Sequence, residues 1–241
     1  TRSWRTRGRP LLSRLASTGL AFFVFAAMVA ALYAVFLYVP TERQMGLVQR
    51  IFYFHVSSAI CSLVAFSLVF VASIQYLRRR EERWDRLAVA SAELGVIFAL
   101  IVLITGPLWA RPIWGVFWRW EPRLTFMLIT FLMYVAYLMV RAYAAGSVEQ
   151  TRRFAAVLGI VAFVNVPLVH FSVNLWSADQ QLHPQKVELA PEMVVARYVS
   201  LVAVGSLFLF LLKRRMELEL ASQTLNRIRQ KLDDERGDDG P

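Results

Sequence analysis

Arg86-Leu-Ala-Val-Ala-Ser-Ala-Glu93-Leu-Gly-Val-Ile-Phe-Ala-Leu-Ile-Val-Leu-Ile-Thr105-Gly-Pro-Leu108 is an apolar run interrupted by one carboxylate, Glu93. It exceeds the ~20 residues a helix needs to cross a hydrocarbon core of about 30 Å. Its apolar side chains go all the way round rather than forming one stripe, which marks a span and not a surface helix. Hydrocarbon offers no partner for a loose peptide group, so such a span must be helical. Five further runs read the same way, giving spans of about 17–39, 52–77, 86–108, 124–141, 154–171 and 192–212. The expected fold is an all-α polytopic membrane protein with six transmembrane helices. They form a single membrane domain over 1–212, followed by a cytoplasmic amphipathic helix and tail over 213–241.

The net charge of +10 is distributed by side rather than by patch. With both termini in the cytoplasm, only Arg43, Arg50, Arg111, Arg119, Arg123, Lys186 and Arg197 fall on the outer side. The other twenty of the 27 basic residues fall on the inner side. That bias fixes both termini in the cytoplasm. The basic charge is topological, and no nucleic acid is implied. The first span follows five Arg, as a signal peptide would, but it is long and lacks a small-residue cleavage site, so it is read as a true span. Cys61, the single cysteine, lies inside the second span and reads as a small buried hydrophobe. Glu93 is two turns from the inner end of its span and is expected to pair with the basic loop 78–86 or to face a neighbouring helix, a structural role.

The outer side holds the unusual chemistry. Trp109-Ala-Arg-Pro-Ile-Trp114-Gly-Val-Phe-Trp118-Arg-Trp120-Glu121-Pro-Arg123-Leu-Thr125 contains four of the seven Trp, with three Arg among them. Pro112 suits a first helical turn and Pro122 disfavours helix before it, which allows a two-turn helix with Trp114 and Trp118 on one face. Indoles beside guanidinium groups suit a large, flat, anionic ligand at a membrane boundary, although Trp and Arg also gather there as plain anchors. His55 begins the second span, and His170 ends the fifth, just past Pro167, which is expected to bend that helix. The two flank the Trp-rich stretch at matching depth. Imidazoles from separate helices on opposite faces of a porphyrin would give six-coordinate haem iron. Arg50 or Arg123 would then pair with the propionates. His183, in the loop 172–191 with Trp176, reads as a surface residue. A further stripe, Leu218, Ala221, Leu225, Ile228 and Leu232, marks the tail helix.

The blocks Trp114–Thr125, Thr105–Gly115, Arg50–Val56 and Asn165–Val173 resemble, in order, the tryptophan-rich WWD family of haem-handling proteins in cytochrome c biogenesis. The six-span CcmC branch is the best match, over about residues 17–212; CcmF and CcsA types carry more spans. The resemblance implies haem b held non-covalently at the outer face of the bacterial cytoplasmic (inner) membrane, facing the periplasm. It implies delivery to the haem chaperone CcmE, beside CcmD and the CcmA–CcmB transporter pair. The family's axial histidines map onto His55 and His170, and its loop onto Trp114, Trp118, Trp120 and Glu121. Here Glu121 replaces Asp, Phe117 replaces a Trp and Ser57 replaces a Pro of the family pattern.

Two other functions remain open at this stage. A b-type electron-transfer subunit would place its haem ligands deep within spans. A transporter without haem would show broken polar helices near the midplane. The sequence carries no Gly-rich phosphate loop, no His-Glu-x-x-His helix and no evident Ser/His/Asp set, so no hydrolase or ATPase chemistry is read from it. Whether the protein assists covalent haem attachment to the chaperone is not written in these residues.

Overall fold

A computed structural model describes residues 11–175 and 189–238. Among them the chain is all helix, with one isolated bridge between Glu42 and Gly46 and no strand. Six helical stretches are long and apolar enough to cross a membrane: Ser17–Tyr38, Leu47–Arg79, Glu82–Trp114, Pro122–Tyr143, Val148–Ser172 and Pro191–Gln230. The helices are α1 (Leu11–Tyr33), α2 (Ile51–Arg79), α3 (Glu82–Trp114), α4 (Pro122–Tyr143), α5 (Val148–Phe163), α6 (Asn165–Leu175) and α7 (Pro191–Asp238). The loop holding Trp176 and His183 lies outside the described residues.

Helices α2 and α3 form the central pair, joined by a two-residue turn in which Arg80 takes the left-handed conformation at φ 57°. They approach closely because Gly95 offers no side chain. A Cβ there would stand 2.5 Å from the Phe66 ring, which itself stacks on Tyr134 of α4 at 3.9 Å. Polar residues of α2 are accommodated in this apolar setting by bonding to their own helix. Ser57 donates to the Tyr53 carbonyl at 2.7 Å and Ser62 to the Ala59 carbonyl at 2.8 Å. Helix α1 packs on α7 at the periphery and ends in a π-helical turn, Ala34–Tyr38, just before Pro40.

Ion pairs close the bundle at the end where α3 begins. Asp85, 2% exposed, accepts from Arg141 of α4 at 2.6 and 3.0 Å and pairs with Arg152 of α5 at 3.1 Å. Glu93 accepts from Arg215 of α7 through both carboxylate oxygens, so it faces a neighbouring helix rather than the 78–86 loop. Arg227 and Arg152 both reach Glu82. The C-terminal stretch extends the last span within α7, a single helix of 48 residues that runs to Asp238. Its stripe residues Leu218, Leu225, Ile228 and Leu232 are exposed.

Two proline expectations come out differently. Pro167 does break the fifth span, which divides at Val164 into α5 and α6. The third span does not end at 108 but runs on past Pro107. Helix α3 runs through both Pro107 and Pro112 to Trp114, where Gly115, at φ 74°, caps it by donating its N–H to the Arg111 carbonyl at 3.0 Å. The two-turn helix after Pro112 does not form; residues 115–121 are irregular, so Trp114 and Trp118 share no helix face. Each proline removes one ladder bond, a cost set against the packing of α2 along α3.

Candidate functional site

At the opposite end from the ion pairs, α2, α3, α4 and α6 surround a cavity of about 320 Å³. Both His55 and His170 line it. With them stand Trp109, Trp118, Arg123 and an apolar wall that includes Phe52, Leu124 and Met127. Gly106 forms part of the floor, 3.5 Å from the Cε1 atom of His55 when measured from the position of a Cβ. The absence of a side chain there keeps the space beside the imidazole open.

Each imidazole owes its position to a different kind of support. His55 lies in the second turn of α2, 8% exposed, with its ring edge-on to Trp109 at 5.9 Å. Its Nδ1 is 2.8 Å from the Thr105 hydroxyl of α3, and that hydroxyl gives its only proton to the Ile101 carbonyl at 2.7 Å. Thr105 therefore accepts from His55, so Nδ1 carries the proton and the ring's acceptor lone pair sits on Nε2. His170 is exposed and lies on the short α6, its ring 5.2 Å from that of Phe171.

The cavity wall has donors to spare. The indole Nε1 atoms of Trp109 and Trp118 are buried with no hydrogen-bond partner among the described residues. Orphaned buried donors are uncommon and suggest an acceptor supplied by something that enters. Two indole N–H groups, the Arg123 guanidinium, two imidazoles and an otherwise apolar lining suit a flat, largely apolar molecule with acidic substituents and a metal that takes nitrogen ligands. A metalloporphyrin has those features.

The other residues selected from sequence lie outside this wall. Arg50 is five residues before His55, about 140° round the helix, so it faces elsewhere. Its guanidinium lies 5.9 Å over Phe36 in a neighbouring apolar pocket with Leu47 and Phe54. Glu121 is 1% exposed at the start of α4, where its carbonyl accepts from the Thr125 N–H at 3.0 Å. Trp114 tilts against Trp109 at 6.3 Å, and Trp120 packs edge-on against Trp118 at 5.6 Å while remaining 74% exposed. The loop thus presents one indole inward, Trp118, and one outward, Trp120, beside exposed Phe117. Gly106 and Met127 line the cavity and Thr105 bonds to His55, and the sequence alone marks none of the three. Nothing in local spacing ties Thr105 to a histidine fifty positions away.

Known proteins share this chain's pattern. The family model CcmC, described as heme exporter protein C, matches residues 8–231. A Bradyrhizobium diazoefficiens protein named heme exporter protein C is 37% identical over 171 residues, 69% of this chain, and the match spans 65% of that relative's length. Proteins of the same name from Rhodobacter capsulatus and Escherichia coli K12 are 30% and 32% identical. They cover 81% and 60% of this chain, and 83% and 58% of their own lengths.

Proposed function

Since the chain belongs to the CcmC family, described as heme exporter protein C, we propose that it holds haem b at the outer face of the cytoplasmic membrane and passes it on for c-type cytochrome biogenesis. The recipient is the periplasmic haem chaperone CcmE, with CcmD and the CcmA–CcmB transporter as the neighbouring components. The observation that carries this reading is the single cavity lined by both His55 and His170 together with the orphaned indole donors of Trp109 and Trp118.

The residues divide the work. His55 and His170 offer imidazole nitrogens to the iron, and the Thr105 hydroxyl orients the first of them. Arg123 and the two buried indole N–H groups answer the acidic edge of the porphyrin, and Phe52, Leu124 and Met127 exclude water from its faces. Haem brings its own redox and ligand-exchange chemistry; the protein supplies binding, orientation and release. Trp120 and Phe117, exposed on the loop just outside the cavity, form the surface on which the chaperone docks.

Titration of the purified, membrane-reconstituted protein with haem tests this. One equivalent is expected to bind, and the His55→Ala/His170→Ala double variant is expected to lose it while still folding. Equal retention by the double variant would refute the site. An electron-transfer subunit would retain its haem when mixed with CcmE, whereas a delivery protein is expected to give it up.

A further inference from the structure

Helix α6 is a half-helix of 11 residues that carries His170. It is set off from α5 because Pro167 has no N–H for the Phe163 carbonyl. The chain tightens there, and the Val164 N–H reaches back to Val161 at 3.2 Å. Beyond the break α6 packs mainly on α4, burying Val166, Val169 and Ser172.

At the joint stands a small polar triangle within an apolar interface. The Asn165 side-chain amide donates to the Phe126 carbonyl at 2.7 Å and to the Thr130 hydroxyl at 2.6 Å. Thr130, fully buried, donates in turn to the Phe126 carbonyl at 2.8 Å. Apolar contacts alone are non-directional and would let a short helix rotate or slide on its neighbour. Directional bonds from Asn165 fix the rotation of α6 about α4, and with it the direction of a side chain five residues on. His55 needs no such latch. It sits in a 29-residue helix paired along its length with α3, nearly buried and hydrogen-bonded to Thr105. The two imidazoles thus line one cavity but are held with unequal firmness.

We propose that Asn165 is a positioning residue that holds the His170 imidazole toward the cavity, and that His170 is the labile member of the pair, the ligand that lets go when haem is handed on. This rests on the ligand reading given above. Opening one axial position frees haem toward a recipient. The histidine that is exposed and mounted on a jointed half-helix moves with less disturbance than the one locked between α2 and α3.

Carbon monoxide binding to the ferrous, haem-loaded full chain in nanodiscs tests this, because CO enters only after one axial imidazole leaves. Asn165→Leu is expected to keep the low-spin starting spectrum and to raise the CO-binding rate several-fold, up to about tenfold, the factor equivalent to one lost hydrogen bond. Thr130→Val, near-isosteric and less disruptive, should act in the same direction and carries the test if Asn165→Leu fails to accumulate. In a His170→Ala background the rate is already fast, and Asn165→Leu should add nothing. Unchanged rates in Asn165→Leu and Thr130→Val overturn the proposal. So does equal acceleration in the His170→Ala background, or acceleration by Thr105→Val in place of the Asn165 and Thr130 variants. A wild-type protein without a low-spin spectrum overturns both this and the ligand reading, whereas a low-spin protein with unmoved rates overturns this alone.

Discussion

The Nδ1 of His55 and the hydroxyl of Thr105 stand 2.8 Å apart across the α2–α3 interface, and the bond from Thr105 to the Ile101 carbonyl makes the hydroxyl the acceptor. One residue thereby fixes both the direction and the tautomer of an imidazole on another helix. Partners of this kind commonly change metal affinity by about 10- to 100-fold when removed. Thr105→Val, which keeps the shape and removes the hydroxyl, is expected to weaken haem binding by about tenfold or more at unchanged thermal stability. Haem titration of the two proteins side by side checks it, and Thr105→Ser should restore most of the loss.

Gly106 gives a steric prediction. An alanine Cβ would meet the His55 Cε1 at 3.5 Å, an ordinary contact. Gly106→Ala is therefore expected to bind haem nearly as the parent does. Gly106→Leu puts three more carbons into the cavity and should prevent loading without unfolding the bundle. A thermal melt of each variant beside its haem titration separates lost space from lost fold.

The apolar runs made the six spans legible, and Pro167 marked the one that breaks. The cavity itself was half legible. His55, His170, Trp118 and Arg123 do meet around it, but Trp114, Trp120, Glu121 and Arg50 do not line it. Arg50 is close to His55 in sequence but about 140° away in azimuth, a distinction that helical geometry supplies once the helix start is known. The Trp-rich stretch takes its shape from Gly115, a helix stop, rather than from Pro112, which suits a helix start. Thr105 and Asn165 act across helix interfaces, on partners fifty and more than thirty positions away, and no local pattern announces such pairs.

The ion-pair end of the bundle should be separable from the cavity end. Asp85 is nearly buried between Arg141 and Arg152, and removing one member of a buried pair leaves the others uncompensated. Asp85→Ala is expected to lower stability by roughly 3–5 kcal/mol, read as a fall in melting temperature in detergent. The haem spectrum should be unchanged, since the site lies at the far end of α3.

Trp118 and Trp120 are 5.6 Å apart yet face opposite ways, one into the cavity and one out. Trp120→Ala is expected to leave haem affinity within about twofold of the parent, as for a surface change that touches no buried partner, while slowing transfer to CcmE. Trp118→Ala should weaken binding itself. Stopped-flow mixing of haem-loaded protein with the chaperone distinguishes the two.

The central claim is that His55 and His170 bind one iron from opposite sides. Electron paramagnetic resonance of the ferric, haem-loaded protein tests it most directly. The expected result is a low-spin bis-imidazole signal that becomes high-spin in both His55→Gly and His170→Gly, and that added imidazole returns to low-spin in each. A low-spin signal that survives either substitution without added imidazole would contradict it.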